Sequence, residues 1–149
     1  MKISKNKNTT ILTNNNLSVL DLFGDEKVIM DINEVKNIKD SFVIFNDVLR
    51  NLKEKDLEIL FEILKQKNIH FVNITSDIEE VLFTDYLLIF NDNKIIVEGP
   101  VLSVLREEKI LKRLGYKLPF VVDLSLQLNY YGLIDSIYLD ERALVDKLW

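Results

Sequence analysis

Short apolar runs separated by amphipathic stretches predict a chain in which strands and helices alternate. Thr9-Thr-Ile-Leu-Thr13 reads as a strand, Asn14-Asn15-Asn16 as a loop, and Leu17 to Phe23 as a short helix. Gly24-Asp25 ends that helix, because glycine enters the left-handed cap conformation without a Cβ clash. Lys27 to Ile32 reads as a second strand, and Phe42 to Phe45 as a third, apolar enough to be buried. The clearest helix runs from Glu54 to Lys67, where Leu57, Leu60, Phe61 and Leu64 recur on one face. Ile69 to Ile74 is a further strand. Asp77 to Phe83 follows as a short helix that Asp77 caps. Tyr86 to Phe90 and Ile95 to Val97 flank the turn Asn91-Asp92-Asn93-Lys94 and form a hairpin. The order implies an α/β fold with a mainly parallel sheet.

After Gly99-Pro100 the pattern changes to helices: Val101 to Leu105, Lys109 to Leu114, Pro119 to Tyr131 and Asp140 to Leu148. Gly115 and Gly132 fall at C-terminal caps, Pro119 at a first helical position and Asp140 at an N-cap. Residues 1–99 thus form the α/β core and residues 100–149 a helical appendix. Met30 and the phenylalanines at 42, 45, 61, 71, 83 and 90 fit core positions. Glu79, Glu80 and the charges between Lys53 and Lys67 fit solvated helix faces.

Composition narrows the function more than it names it. The 149 residues are 48% hydrophobic, which suits one globular unit. A net charge of −5 disfavours nucleic acid as a partner. Without cysteine there is no disulfide framework and no thiolate metal site. The basic opening residues lack the apolar stretch of a signal peptide, and no run approaches a spanning helix. A cytoplasmic protein is expected, with peripheral docking at the inner face of a membrane as the extension of that reading. The single histidine, His70, has no second His or Cys beside it to complete a metal site and reads as structural. Asp47 and Asp77 end neighbouring strands, where open α/β sheets often bind ligands. A helix cap is the plainer role for Asp77.

Ser41-Phe-Val-Ile-Phe-Asn46-Asp47 and Ile74-Thr-Ser76-Asp77-Ile78-Glu79-Glu80 resemble two motifs of ABC-type ATPases. Asp85 to Pro100 is similar to the strand pair after the switch-histidine loop. Val104 to Pro119, with Leu124, Leu128, Gly132 and the closing helix, resembles the extension of the energy-coupling-factor (cobalt/vitamin-type) transporter ATPases. The resemblance runs from about Ser41 to Trp149. It implies a P-loop-type core, an ATP-binding ancestor and a C-terminal appendix that pairs two subunits.

Set beside that family, the chain looks truncated and degenerate. A phosphate cradle needs glycine backbone N–H groups and a lysine; here the loop is Asn14-Asn15-Asn16. Ser18 is where a relic of the Mg²⁺-binding hydroxyl would fall. Asn46 stands for the carboxylate that holds Mg²⁺ through water, and a neutral amide is a poorer ligand for a hard cation. Asp47 stands for the glutamate that polarises water, one methylene shorter. Ser76 stands for the histidine at the γ-phosphate, with less reach and basicity. No Leu-Ser-Gly-Gly-Gln signature occurs. These substitutions together remove the stabilisation of a transferring phosphoryl group. The expectation is a pseudo-ATPase with no catalytic residue, no cofactor site and no metal site. It would act by association as a homodimer or as a heterodimer with an ABC ATPase subunit. The interface candidates are Leu114, Pro119, Leu124, Leu128, Tyr130, Tyr131 and Trp149. Two alternatives stand beside it: an ATPase fragment completed by a partner chain, and a small-ligand sensor using the crevice near Asn14–Asn16, Asn46 and Ser76.

Overall fold

The computed structural model describes residues 3–24 and 26–149. Its strands are β1 (Thr9–Thr13), β2 (Val28–Ile29), β3 (Phe42–Asn46), β4 (His70–Thr75), β5 (Tyr86–Asn91) and β6 (Lys94–Pro100). Its α-helices are α1 (Asn16–Leu20), α2 (Glu54–Gln66), α3 (Val101–Leu105), α4 (Glu108–Arg113), α5 (Phe120–Tyr130) and α6 (Glu141–Leu148). The strands form one sheet in the order β2-β3-β4-β1-β5-β6. All pairs are parallel except the β5–β6 hairpin. The fold is therefore α/β with a mostly parallel sheet, as the alternating pattern implies.

Both faces of the sheet are covered, so β1, β3 and β5 are buried along almost their whole length rather than on alternate residues. Val43, Phe45 and Phe71 pack under Leu60 and Leu64 of α2. Further along, Leu12, Leu87 and Ile89 share a cluster with Val104, Leu105, Leu111, Val122 and Leu144 from the C-terminal helices. The opposite side chains, including Ile11, Ile44, Ile74 and Leu88, pack with Val19 of α1. The helical appendix thus continues the sheet's own core. The change from strand to helix falls at Pro100–Val101.

Several expectations shift. The strand over Lys27–Ile32 shrinks to Val28–Ile29, because Asp31 accepts from the Asn33 amide at 3.0 Å and turns the chain into a 3-10 helix, Ile32–Asn37. Glu34 closes a capping box there by accepting from the Asp31 N–H. Met30, past the shortened strand, is 62% exposed and is not a core residue. The helix over Leu17–Phe23 begins earlier and ends at Leu20, followed by turns to Gly24, where φ is +59°. Asp25 lies outside the described residues. Pro119 sits one position before its helix, at the N-cap, with ψ of 144°. The helix after Asp77 is a 3-10 helix, Ile78–Phe83, whose Glu79 amide donates to the Asp77 carboxylate as expected.

Gly115 ends α4 in a paired-bond cap: its N–H donates to Lys112 and the Tyr116 N–H to Leu111. Its φ is +86°, and a Cβ there would meet no atom within 4 Å. Gly115→Ala should therefore cost about 1 kcal/mol through backbone strain alone. The check is a lowered urea midpoint with unchanged slope.

Candidate functional site

Parallel strands deliver their C-terminal ends to one edge of the sheet, where side chains from separate strands converge. Here β3 ends at Asn46 with Asp47 next, β4 at Thr75 with Ser76 and Asp77 next, and β1 at Thr13 with Asn14 next. Asp47 takes φ +54°, and its N–H donates to the Ile74 carbonyl at 2.9 Å. That bond turns the chain sharply at the strand end and fixes Asp47 beside β4.

The polar side chains at this edge bind one another. Asn16 donates from Nδ2 to Asn46 Oδ1 at 3.0 Å, so the third asparagine is a helical residue rather than part of the loop. Asn46 Nδ2 in turn lies 3.5 Å from the Met30 sulfur. Asn15 accepts from the Ser18 N–H at 3.3 Å, closing the start of α1. Asn14 Oδ1 accepts from the Tyr116 hydroxyl at 3.4 Å, which links the β1 end to the appendix. Arg50 reaches two of the expected positions: Nη2 donates to Ser76 Oγ at 2.7 Å and lies 3.4 Å from Asp47 Oδ1. The Asp47–Arg50 contact is an ion pair rather than a hydrogen bond.

Asn46, Asp47 and Ser76 are thus brought together, with Arg50 as a fourth member. Ser18 is not part of this group. It lines a separate hollow of about 200 Å³ with Thr13, Asn14, Asn15 and the β5–β6 turn. Asp47 and Asp77 do not form a catalytic-type pair: one faces Arg50 and the other caps a helix.

Glu80 departs from its expected solvated face. It is 3% exposed and accepts from Asn73 Nδ2 at 3.0 Å and from Thr75 Oγ1 at 2.8 Å. Burial raises its pKa from the ordinary 4.5, Asp77 and Asp47 add to the rise, and the two hydrogen bonds oppose it. The folded chain therefore binds this proton more tightly than the unfolded chain. Its contribution to stability falls as pH rises from 4.5 through the raised value. Glu80→Gln keeps an acceptor for Asn73 and removes the charge. Its urea midpoint should exceed the parent's at neutral pH, with the gap closing toward pH 4.5. Glu79 keeps its exposed side chain but accepts from the Phe120 N–H at 2.9 Å, which ties α5 to the 3-10 helix Ile78–Phe83.

Among the interface candidates, Pro119 is buried, and Leu114, Leu124 and Leu128 pack against the cluster beneath the appendix. Those four serve the chain's own core. Trp149 is 97% exposed, Tyr130 83% and Tyr131 74%, with the two tyrosine rings edge to face. Val145, Leu148 and Trp149 fall at i, i+3 and i+4, so α6 carries an exposed apolar stripe beside its buried Leu144.

Arg50, Asn73 and Glu80 are the residues at this edge that sequence reasoning missed. A cation three positions after the acid of a strand-end turn was a usable signal for Arg50. Nothing in the local pattern marked Glu80, because a carboxylate in Asp-Ile-Glu-Glu reads as solvated until β4 is placed beneath it.

The fold is an α/β fold with a mostly parallel sheet, similar to that of an ABC ATPase. The structure superposes on CbiO1 from Clostridium perfringens, described as part of the ABC transporter complex CbiONQ, with a TM-score of 0.56 and 12% identity. The match covers 77% of this chain and 85% of that one. No protein-family model matches the chain. Its curated homologues are ATP-binding subunits of energy-coupling factor transporters. EcfA1 of Lactobacillus delbrueckii subsp. bulgaricus is 29% identical over 86% of this chain, and EcfA1 of Listeria monocytogenes 26% over 86%. EcfA1 of Bacillus subtilis is 32% identical over 65% of the chain and 35% of its own length. The chain spans about half the length of the first two relatives, 47% and 48%. Among the described residues, no helix is long and apolar enough to cross a membrane.

Proposed function

We propose that this chain is a non-catalytic member of an energy-coupling-factor-type assembly that acts by association rather than by hydrolysis. The observation that carries the reading is the state of the strand-end edge. Its side chains are spent on one another, with Arg50 bridging Asp47 and Ser76 where the resemblance puts water-polarising and phosphate-sensing groups. Asn15 occupies the Ser18 amide, and the loop before α1 is two residues, Asn14 and Asn15. A triphosphate does not fit these residues: they offer neither a glycine cradle nor a lysine. No step through Mg²⁺ or ATP is therefore assigned to the chain.

The partner-facing part is the C-terminal appendix of residues 100–149. Exposed Tyr130, Tyr131 and Trp149 supply large aromatic surface at little entropic cost, as interface anchors do. The partner is a second copy or an ATP-binding subunit of an energy-coupling factor transporter, on the cytoplasmic side of the membrane. Calorimetric titration with Mg-ATP should be flat for the chain alone. Light scattering after size exclusion should give a dimer, either alone or after mixing with such a subunit. Tight Mg-ATP binding by the isolated chain would end the reading, as would a monomer in both settings.

A further inference from the structure

Helix α6 presents a face that the rest of the described chain leaves uncovered. Glu141, Val145 and Leu148 fall at i, i+4 and i+7 on that face, Trp149 lies beside them, and all four are exposed. Leu144, on the inward side of the helix, is buried. The same face borders a groove of about 630 Å³ between α6 and the first turns of α2. Val145 lines that groove and also belongs to the apolar stripe, so the two form one continuous surface.

The groove is acidic. Glu54, Glu58, Asp140, Glu141 and Asp146 line it against one cation, Arg142, and no other described lining residue is basic. Most of these groups have a role within the chain. Asp140 caps α6 by accepting from the Arg142 N–H at 3.0 Å, and the Arg142 guanidinium lies 3.4 Å from Glu58. Glu54 and Glu141 sit in first helical turns, where the helix dipole favours negative charge. Asp146 has no such role. It lies in the last turn of α6, the end where the dipole disfavours an acid, and it enters no ion pair among the described residues. Lys147 does not offset it on this face, because two positions beyond Val145 is a rotation of about 200° around the helix.

An apolar stripe edged by carboxylates restricts what can cover it. A second copy pairing this face about a two-fold axis would set carboxylates against carboxylates. An anionic membrane surface is repelled by the same groups. A basic amphipathic helix satisfies both parts, with its apolar side on Val145, Leu148 and Trp149 and its cations toward Glu141 and Asp146.

We propose that α6 docks a basic amphipathic helix of a partner protein along the groove it forms with α2. The inference rests on the associative reading above and gives the chemistry of the partner at this face.

Trp149 is the chain's one tryptophan and lies on the surface in question, so its emission reports docking. The probes are an amphipathic helix of roughly 18 leucines and lysines, long enough to be helical in water, and its leucine–glutamate counterpart. Titrated into the full-length chain, the lysine peptide should move the emission to shorter wavelength and saturate, and the glutamate peptide should not. Raising salt from ~50 to ~300 mM should weaken the lysine peptide about fivefold. Glu141→Gln with Asp146→Asn should also weaken it about fivefold. Asp92→Asn with Glu107→Gln removes the same charge elsewhere and should leave binding unchanged. Leu148→Ser should weaken it about tenfold. An unmoved spectrum with the lysine peptide, equal binding of both peptides, or equal loss in the two charge variants would each overturn the proposal. A shift on concentrating the chain alone would give the face to a second copy, and a shift with lipid vesicles but not with the peptide would give it to a membrane; either overturns it. A chain that associates with an ATP-binding subunit yet ignores the lysine peptide refutes this inference alone. A monomer in both light-scattering settings that still binds the peptide at α6 refutes only the partner proposed above.

Discussion

Replacing Tyr130, Tyr131 and Trp149 together with serine is expected to raise the dissociation constant of the assembly by about 100-fold or more. Aromatic anchors at interface centres each carry about 2 kcal/mol or more when truncated, and their effects do not add fully. Counting only part of that sum still exceeds the ~2.7 kcal/mol that separates a hundredfold change. The same substitutions should leave the fold intact, because all three side chains are exposed in the single chain. Leu124 and Leu128 make the contrast. They pack against the appendix cluster, so their truncation should lower stability first and association only through it. Concentration-dependent light scattering read beside urea unfolding separates the two effects. An unchanged dissociation constant in the triple variant would remove these aromatics from the interface.

Phe71→Ala should cost about 3–5 kcal/mol of folding stability. Phe71 is buried at 2% exposure and meets Phe45 edge to face at 5.3 Å and Phe61 in a stack at 5.9 Å. Its removal deletes the shared member of that cluster between β3, β4 and α2, and the surrounding strands cannot collapse into the space without breaking register. A domain of this size has roughly 5–15 kcal/mol in hand, so the loss takes a large share of the total. Thermal unfolding should shift down by about 10 °C. A shift of under ~2 °C would mean that the ring is not the packing centre its contacts describe.

The Mg-ATP titration has less dramatic arithmetic but greater weight for function. A flat result with the chain alone and a binding signal only with an ATP-binding subunit present would favour the partner-completed fragment over the purely associative reading. A signal with metabolites lodged near Asn14–Asn16, Asn46 and Ser76 would favour the sensor.

Local pattern carried the strands and the α2 stripe because each is a matter of spacing. Leu57, Leu60, Phe61 and Leu64 share a helix face by geometry, and Leu60 and Leu64 are buried where that face meets the sheet. The caps at Asp77, Asp140, Gly115 and Gly132 were legible for the same reason: a side-chain acceptor or a positive φ acts within one turn. The family relation was legible from ordered motifs, and the homologues agree with it. What spacing could not show depends on neighbours distant in the chain. Arg50 meets Ser76 across 26 positions, Asn16 meets Asn46 across 30, and Asn14 meets Tyr116 across 102. Met30 reads as core but is exposed because the strand before it stops early. Glu80 reads as solvated but is buried because β4 places Asn73 and Thr75 beside it. Periodicity reports which residues share a face; solvation and pairing follow from what the folded chain lays against that face.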